Sequence, residues 1–301
     1  MPVLFLTLTV VSATIQNFFT KIFSTKTDKG VFLFNAMSAF VALFIFVAMA
    51  KFQFTFVWEN SFYAVLFALS YFFAVFGLTM AIKTGPLSIT ALIESYSMIV
   101  ASIYGVLFLE EPITPFMIVG FVLLVISLTL VNYEKKIKLE GEQETTQKSN
   151  GLSLKWIIFV SIGFAGNGFC TVVQKMQQVW SEKTYGVGQF LYSNEMMILG
   201  LLLAVVAFVV CSLVMERKDI KEVAQKGWGF AIGRGLSNGC ANLFSILVMT
   251  MMAVSVANAV IAAGCVILSA LISVLFYKEK LNVYQWIGIG VGVVSLVFLN
   301  I

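Results

Sequence analysis

Of the 301 residues, 60% are hydrophobic and only 11% charged, and the mean hydropathy is +0.97. A water-soluble domain carries roughly a quarter charged residues, so this composition describes an integral membrane protein. The formal net charge is +4 and there is no histidine. That removes imidazole acid–base chemistry and histidine-ligated metal sites, and no cofactor, metal or nucleic-acid partner is expected.

Ten apolar stretches follow one another at 3–22, 31–50, 62–82, 87–109, 116–131, 156–179, 189–215, 228–252, 257–277 and 283–299. Eight of them supply the roughly 20 residues that the ~30 Å hydrocarbon layer requires, and 116–131 and 283–299 come close to it. The first has no positive region ahead of it and no A-x-A-like site behind it, so it is expected to be retained as a helix. Lys83-Thr84-Gly85-Pro86 forms a tight break between the third and fourth spans. Residues 133–154 are the one watery stretch, with Glu134, Lys135, Lys136, Lys138, Glu140, Glu142, Glu144 and Lys148. This linker leaves five spans on either side, in segments 1–132 and 155–301. The cysteines, Cys170, Cys211, Cys240 and Cys265, lie in apolar runs without paired spacing and read as small buried hydrophobes.

An offset of 168 residues aligns the ends of the two halves without a gap. It superimposes Phe108 on Phe276, Glu111 on Glu279, Gly120 on Gly288, Ser127 on Ser295 and Asn132 on Asn300. Polar and glycine matches carry the weight, because apolar residues agree by chance. Gly30-Val31-Phe32-Leu33-Phe34 resembles Gly188-Gln189-Phe190-Leu191-Tyr192 as well. A duplicated unit with an odd number of crossings must insert in opposite senses. The expected fold is therefore an all-α polytopic membrane protein of ten transmembrane helices, built from two inverted five-helix repeats.

Fifteen of the nineteen basic residues fall in one set of connections, while Lys51 and Lys183 fall in the other. Short cytoplasmic loops carry the excess of Lys and Arg. The charge bias thus places both termini on the non-cytoplasmic side of a bacterial-type plasma membrane.

The Ala81-Ile82-Lys83-Thr84-Gly85-Pro86 break, the Phe108-Leu109-Glu110-Glu111-Pro112-Ile113-Thr114 boundary and Gly120 beyond it resemble the drug/metabolite transporter superfamily, in its EamA-like branch. In the second half Phe276-Tyr277-Lys278-Glu279-Lys280-Leu281 keeps the glutamate and loses the proline. The resemblance implies a ten-helix carrier of small organic solutes, with a pathway lined mainly by helices 1, 3, 4, 6, 8 and 9. It also implies cytoplasmic termini, the reverse of the charge bias.

Ionisable residues within spans are costly and often mark a pathway. Glu94 shares a helix face with Thr90, Ser97 and Ala101. A carboxylate there could exchange a proton during transport or attract a cationic solute, or could simply serve a neighbouring donor. Arg234, with Asn238, Asn242 and Ser245 behind it, suits a substrate carboxylate or phosphate. Both lie in the same half of the membrane, so an ion pair between them is an equal alternative. Glu195 is a second candidate for proton coupling, although a pair with Lys175 steadying the helix 6–7 corner is favoured. Gln16 on helix 1, Asn167, Thr171 and Gln174 on helix 6, and Asn258 on helix 9 complete the expected pathway. For Gly233, Gly235 and Gly239 close helix packing is the stronger explanation.

The function expected is secondary transport of small organic metabolites, amino-acid-like or drug-like, by alternating access and with possible proton coupling. A flippase for lipid-linked headgroups or a passive channel is the alternative. No Walker loop, HExxH motif or paired catalytic aspartates occur, so an enzyme is not expected.

Overall fold

A computed structural model describes residues 2–27, 29–51, 57–108, 114–131, 153–186, 189–249, 254–278 and 281–299. Most of the linker, Glu110, Glu111 and Glu279 lie outside the described residues. All regular structure described is helical: α1 (Pro2–Lys26), α2 (Val31–Met49), α3 (Trp58–Thr84), α4 (Leu87–Ser95), α5 (Met98–Phe108), α6 (Pro115–Val131), α7 (Leu154–Tyr185), α8 (Gln189–Met215), α9 (Ile220–Lys226), α10 (Trp228–Met249), α11 (Val254–Tyr277) and α12 (Val283–Leu299).

These twelve helices make ten spans, because α4 and α5 are two halves of one crossing and α9 is a seven-residue helix between spans. The unbroken fourth span expected over 87–109 is thereby corrected. At the break the Tyr96 amide is shared between the Leu92 and Ile93 carbonyls, and the Ser97 amide donates to the Glu94 carbonyl at 3.0 Å. The turn tightens without proline or glycine. Its side chains are anchored elsewhere: the Tyr96 hydroxyl donates to Ser127 Oγ at 3.0 Å, and Ser97 Oγ accepts from Asn167 Nδ2 at 2.7 Å.

The inversion of the halves is visible in the contact of α6 with α12. Ser127 Oγ donates to the Gly288 carbonyl and Ser295 Oγ to the Gly120 carbonyl, each at 2.8 Å. These are the residues that the sequence repeat equates, so the contact is reciprocal, as across a two-fold axis. The higher-numbered residue of α6 meets the lower-numbered one of α12, so the helices run antiparallel. Ser127→Ala and Ser295→Ala are expected to cost similar amounts, about 0.6–1.7 kcal/mol each. Unfolding titrations in detergent would read this; one cost and one indifference would count against the two-fold.

The same exchange of halves relates the other large contacts. α3 packs along α7 as α10 packs along α1, and α2 lies against α8. Close approach is set by small residues. A Cβ on Gly77 would lie 2.3 Å from the Gly163 amide nitrogen, and one on Gly166 would lie 2.3 Å from that of Ala74. On α10, a Cβ at Gly235 would meet the Ser38 carbonyl at 2.4 Å, and Gly233 and Gly239 abut Phe19 and Ile45. Those glycines therefore serve packing.

The ends of α1, α3, α8 and α11 and the starts of α2, α4, α7 and α10 gather at one face, which carries Lys26, Lys29, Lys83, Arg217, Lys218, Lys221 and Lys226. We call this the basic face. Here Gly30, left-handed at φ 76°, starts α2 against Val223 of α9. Glu216, just beyond α8, accepts from the amides of Phe32 and Leu33 at 3.0–3.2 Å and so caps α2 across the repeat boundary. Glu216→Ala should cost about 0.5–2 kcal/mol, as loss of an N-cap does, measurable as a lowered melting temperature. On exposed α9 the Lys226 ammonium bonds Glu222 at 2.9 Å and holds its carboxyl below the usual carboxylate range.

Candidate functional site

A cavity of about 170 Å³ opens between α1, α3, α4, α7 and α10. Gln16 and Tyr71, each near the middle of its helix, put it at mid-depth. The wall is built by helical spacing. Phe67, Tyr71, Ala74, Val75 and Leu78 recur on one face of α3, Asn167, Cys170, Thr171 and Gln174 on one face of α7, and Asn238 and Asn242 on α10. Part of each polar row of the sequence therefore lines the cavity, while Thr90, Ser97 and Arg234 are buried in packing.

Glu94 stands in the last turn of α4, next to the break, and lines the cavity. Its Oε2 is buried without a hydrogen-bond partner. Room for the carboxylate comes from Gly163, whose Cβ would lie 3.3 Å from Oε1. A chain of hydrogen bonds crosses between α3, α10 and α1. The Tyr71 hydroxyl donates to Asn238 Oδ1 at 3.3 Å, and Asn238 Nδ2 donates to Gln16 Oε1 at 2.8 Å. Thr171 and Asn242 bond carbonyls of their own helices, those of Asn167 at 3.1 Å and Asn238 at 2.9 Å, while Gln174 Nε2 approaches Met197 Sδ at 3.7 Å.

Arg234 does not line the cavity. It is 1% exposed, donates from Nε to Thr20 Oγ1 at 2.9 Å, and lies 5.5 Å from the Phe34 ring centre. The ion pair weighed between Arg234 and Glu94 does not form. Arg234 belongs instead to the packed layer between the cavity and the basic face. There the Phe23 and Phe34 rings stack with centres 3.9 Å apart, and Tyr277 donates to the Phe18 carbonyl at 3.2 Å. Lys21 Nζ donates to the carbonyls of Ile82 at 3.1 Å and Gly85 at 2.9 Å, tying the end of α1 to the end of α3. A cation at a helix C-terminus also meets the negative end of the helix dipole.

Glu195 is buried toward the opposite face, away from the cavity. Its Oε2 accepts from Asn60 Nδ2 at 3.3 Å rather than from the expected Lys175. Asn60 Oδ1 in turn accepts from Gln177 Nε2 at 3.3 Å, and Ser193 donates to Gln177 Oε1 at 3.0 Å. This network joins α3, α7 and α8. The side chain of Asn258 lies outside the described residues.

The structure thus brings Gln16, Glu94, Asn167, Thr171, Gln174, Asn238 and Asn242 to one cavity and sets Arg234 and Glu195 apart from it. Sequence reasoning missed Tyr71 and Phe67; it placed Ser97 on the Glu94 face but not its bond to Asn167. In a helix as rich in phenylalanine as α3, one tyrosine at the cavity spacing gives no polar row to notice.

Among solved structures, one crystal structure of a protein is similar over 96% of this chain and 95% of its own, at 13% identity and a TM-score of 0.58, a likeness of fold alone. No curated protein matches. The model of the EamA-like transporter family matches residues 1–133 and 154–301. With nearly its whole length covered and its helices inverted about the α6–α12 contact, the chain belongs to the EamA-like transporter family and is a multi-pass membrane transporter of the drug/metabolite type.

Proposed function

We propose that the chain is a secondary carrier of small organic solutes that alternates access by rocking segments 1–132 and 155–301, joined by the polar linker, against each other. The supporting observation is the cavity at mid-depth. It draws on equivalent helices of both halves, α1 with α7 and α3 with α10, and is sealed from the basic face by the Arg234, Lys21 and Phe23–Phe34 layer. The interruption of the fourth span beside Glu94 fits this reading, since carriers commonly place discontinuous helices at their midplane sites. Proton coupling is assigned to Glu94, whose carboxyl meets the cavity, in preference to Glu195, which is engaged in a structural network. The basic face is assigned to the cytoplasm, following the lysine and arginine bias.

Counterflow in proteoliposomes tests the carrier. Liposomes preloaded with an unlabelled solute should take up the labelled compound transiently above equilibrium, at a saturable rate and without nucleotide. A flux that rises linearly with concentration would mark a channel. Scrambling of labelled lipid without counterflow would mark a flippase.

A further inference from the structure

The cavity's chemistry narrows what it can hold, on the reading above that it is the solute site. Among the described residues no lysine or arginine lines it. The buried cation Arg234 does not line it: the guanidinium sits in the packed layer, with Nε on Thr20 and Nη2 buried there without a partner among the described residues. What remains is a carboxylate with a buried, unpartnered oxygen. The amides beside it lean the same way. One N–H of each is already engaged, Asn167 by Ser97, Asn242 by its own helix and Gln174 by Met197, while their side-chain oxygens accept nothing from the described residues. The apolar wall adds the rings of Phe67 and Tyr71, whose centres lie 5.7 Å apart, and aromatic faces attract cations. An anionic solute would meet a like charge, with the second N–H of each amide as its donors. A cationic one would meet a counter-ion, free acceptors and aromatic carbon.

We infer that the cavity is a site for a small organic monocation, an alkyl- or arylalkylammonium, with Glu94 as its counter-ion. Size limits the ligand too. A cavity of about 150 Å³ holds a benzene ring, so this one, at about 170 Å³, takes a solute of roughly six to ten non-hydrogen atoms. The ammonium group sits at Glu94, its remaining N–H groups reach the amide oxygens, and the hydrocarbon part lies against Phe67, Val75 and Leu78.

The test is equilibrium binding to the purified full chain in detergent, using probes matched in size and differing in charge: benzylamine, cyclohexylamine and choline, with benzyl alcohol as the neutral and benzoate as the anionic counterpart. At neutral pH at least one ammonium probe should bind the wild type ten times more tightly than benzyl alcohol, and benzoate should not bind. Glu94→Gln should weaken that cation at least tenfold and leave benzyl alcohol unchanged. Binding of none of the three cations, benzoate binding as tightly as benzylamine, or cation affinity surviving Glu94→Gln would each overturn the inference. The comparison of charges uses the wild type, so it does not depend on the variant folding. Cation binding without counterflow would refute the carrier and leave this selectivity standing. Counterflow of a carboxylate solute, with no cation bound, would do the reverse.

Discussion

Glu94→Gln is expected to fold normally and to lose gradient-driven accumulation by about 100-fold. Among the described residues the carboxylate makes no ion pair and its Oε2 has no partner, so the isosteric amide removes no stabilising contact seen there. An uncompensated buried charge is costly. Removing it should leave the melting temperature unchanged or higher. The loss falls on function. A charge-assisted hydrogen bond contributes roughly 1.5–3 kcal/mol, which is about one to two decades in affinity, and the amide can neither take up nor release a proton. Uptake with and without an imposed pH gradient, alongside thermal melting of the same preparation, separates the two effects. A variant that melts as wild type and still accumulates solute on the gradient would remove Glu94 from the coupling.

Gly166→Leu should prevent assembly of the bundle. Its added Cβ would lie 2.3 Å from the Ala74 nitrogen and 2.7 Å from the Ala74 Cα. Both are backbone atoms, which cannot swing aside like the end of a side chain, so α7 must move away from α3. Overpacking in compliant cores costs about 1–3 kcal/mol, and a rigid backbone obstacle belongs at or beyond the top of that range. The strain would fall on the helix pair that also forms two walls of the cavity. Gly290→Ala is the control, since nothing lies within 4 Å of its added carbon. It should be neutral or stabilising by about 0.5–1 kcal/mol, the usual gain of alanine over glycine within a helix. Monodispersity and melting temperature in detergent would distinguish the pair.

Much of the architecture was legible because the bilayer imposes a length and a polarity on every segment. The spans follow from apolar runs, and the 168-residue offset pointed to the residues that meet across α6 and α12. Gln16 on α1 and the polar residues of α7 and α10 were legible for the same reason, since an amide inside a span must face protein or water. The break at Tyr96–Ser97 was not. It is held by bonds to Ser127 and Asn167, which are distant in sequence, and no local breaker announces it. The destinations of the charges also escaped. Glu94 and Arg234 stand on suitable helices, yet Arg234 is turned toward Thr20 and Phe34, and helical periodicity does not fix how far one helix is rotated or displaced against the next. For Glu195, Asn60 lies on a third helix that sequence proximity does not suggest.

The Ser127–Gly288 and Ser295–Gly120 bonds are interchanged when the two copies trade places. A contact that maps onto itself can stay intact while everything around it is swapped. On the carrier reading proposed above, the alternate conformer is specified in outline: α7 takes the role of α1 and α10 that of α3, so the tether made here by Lys21 is expected to break. If the halves do exchange in that way, one set of coordinates would describe two ends of a stroke, with the serine pair as its stationary axle.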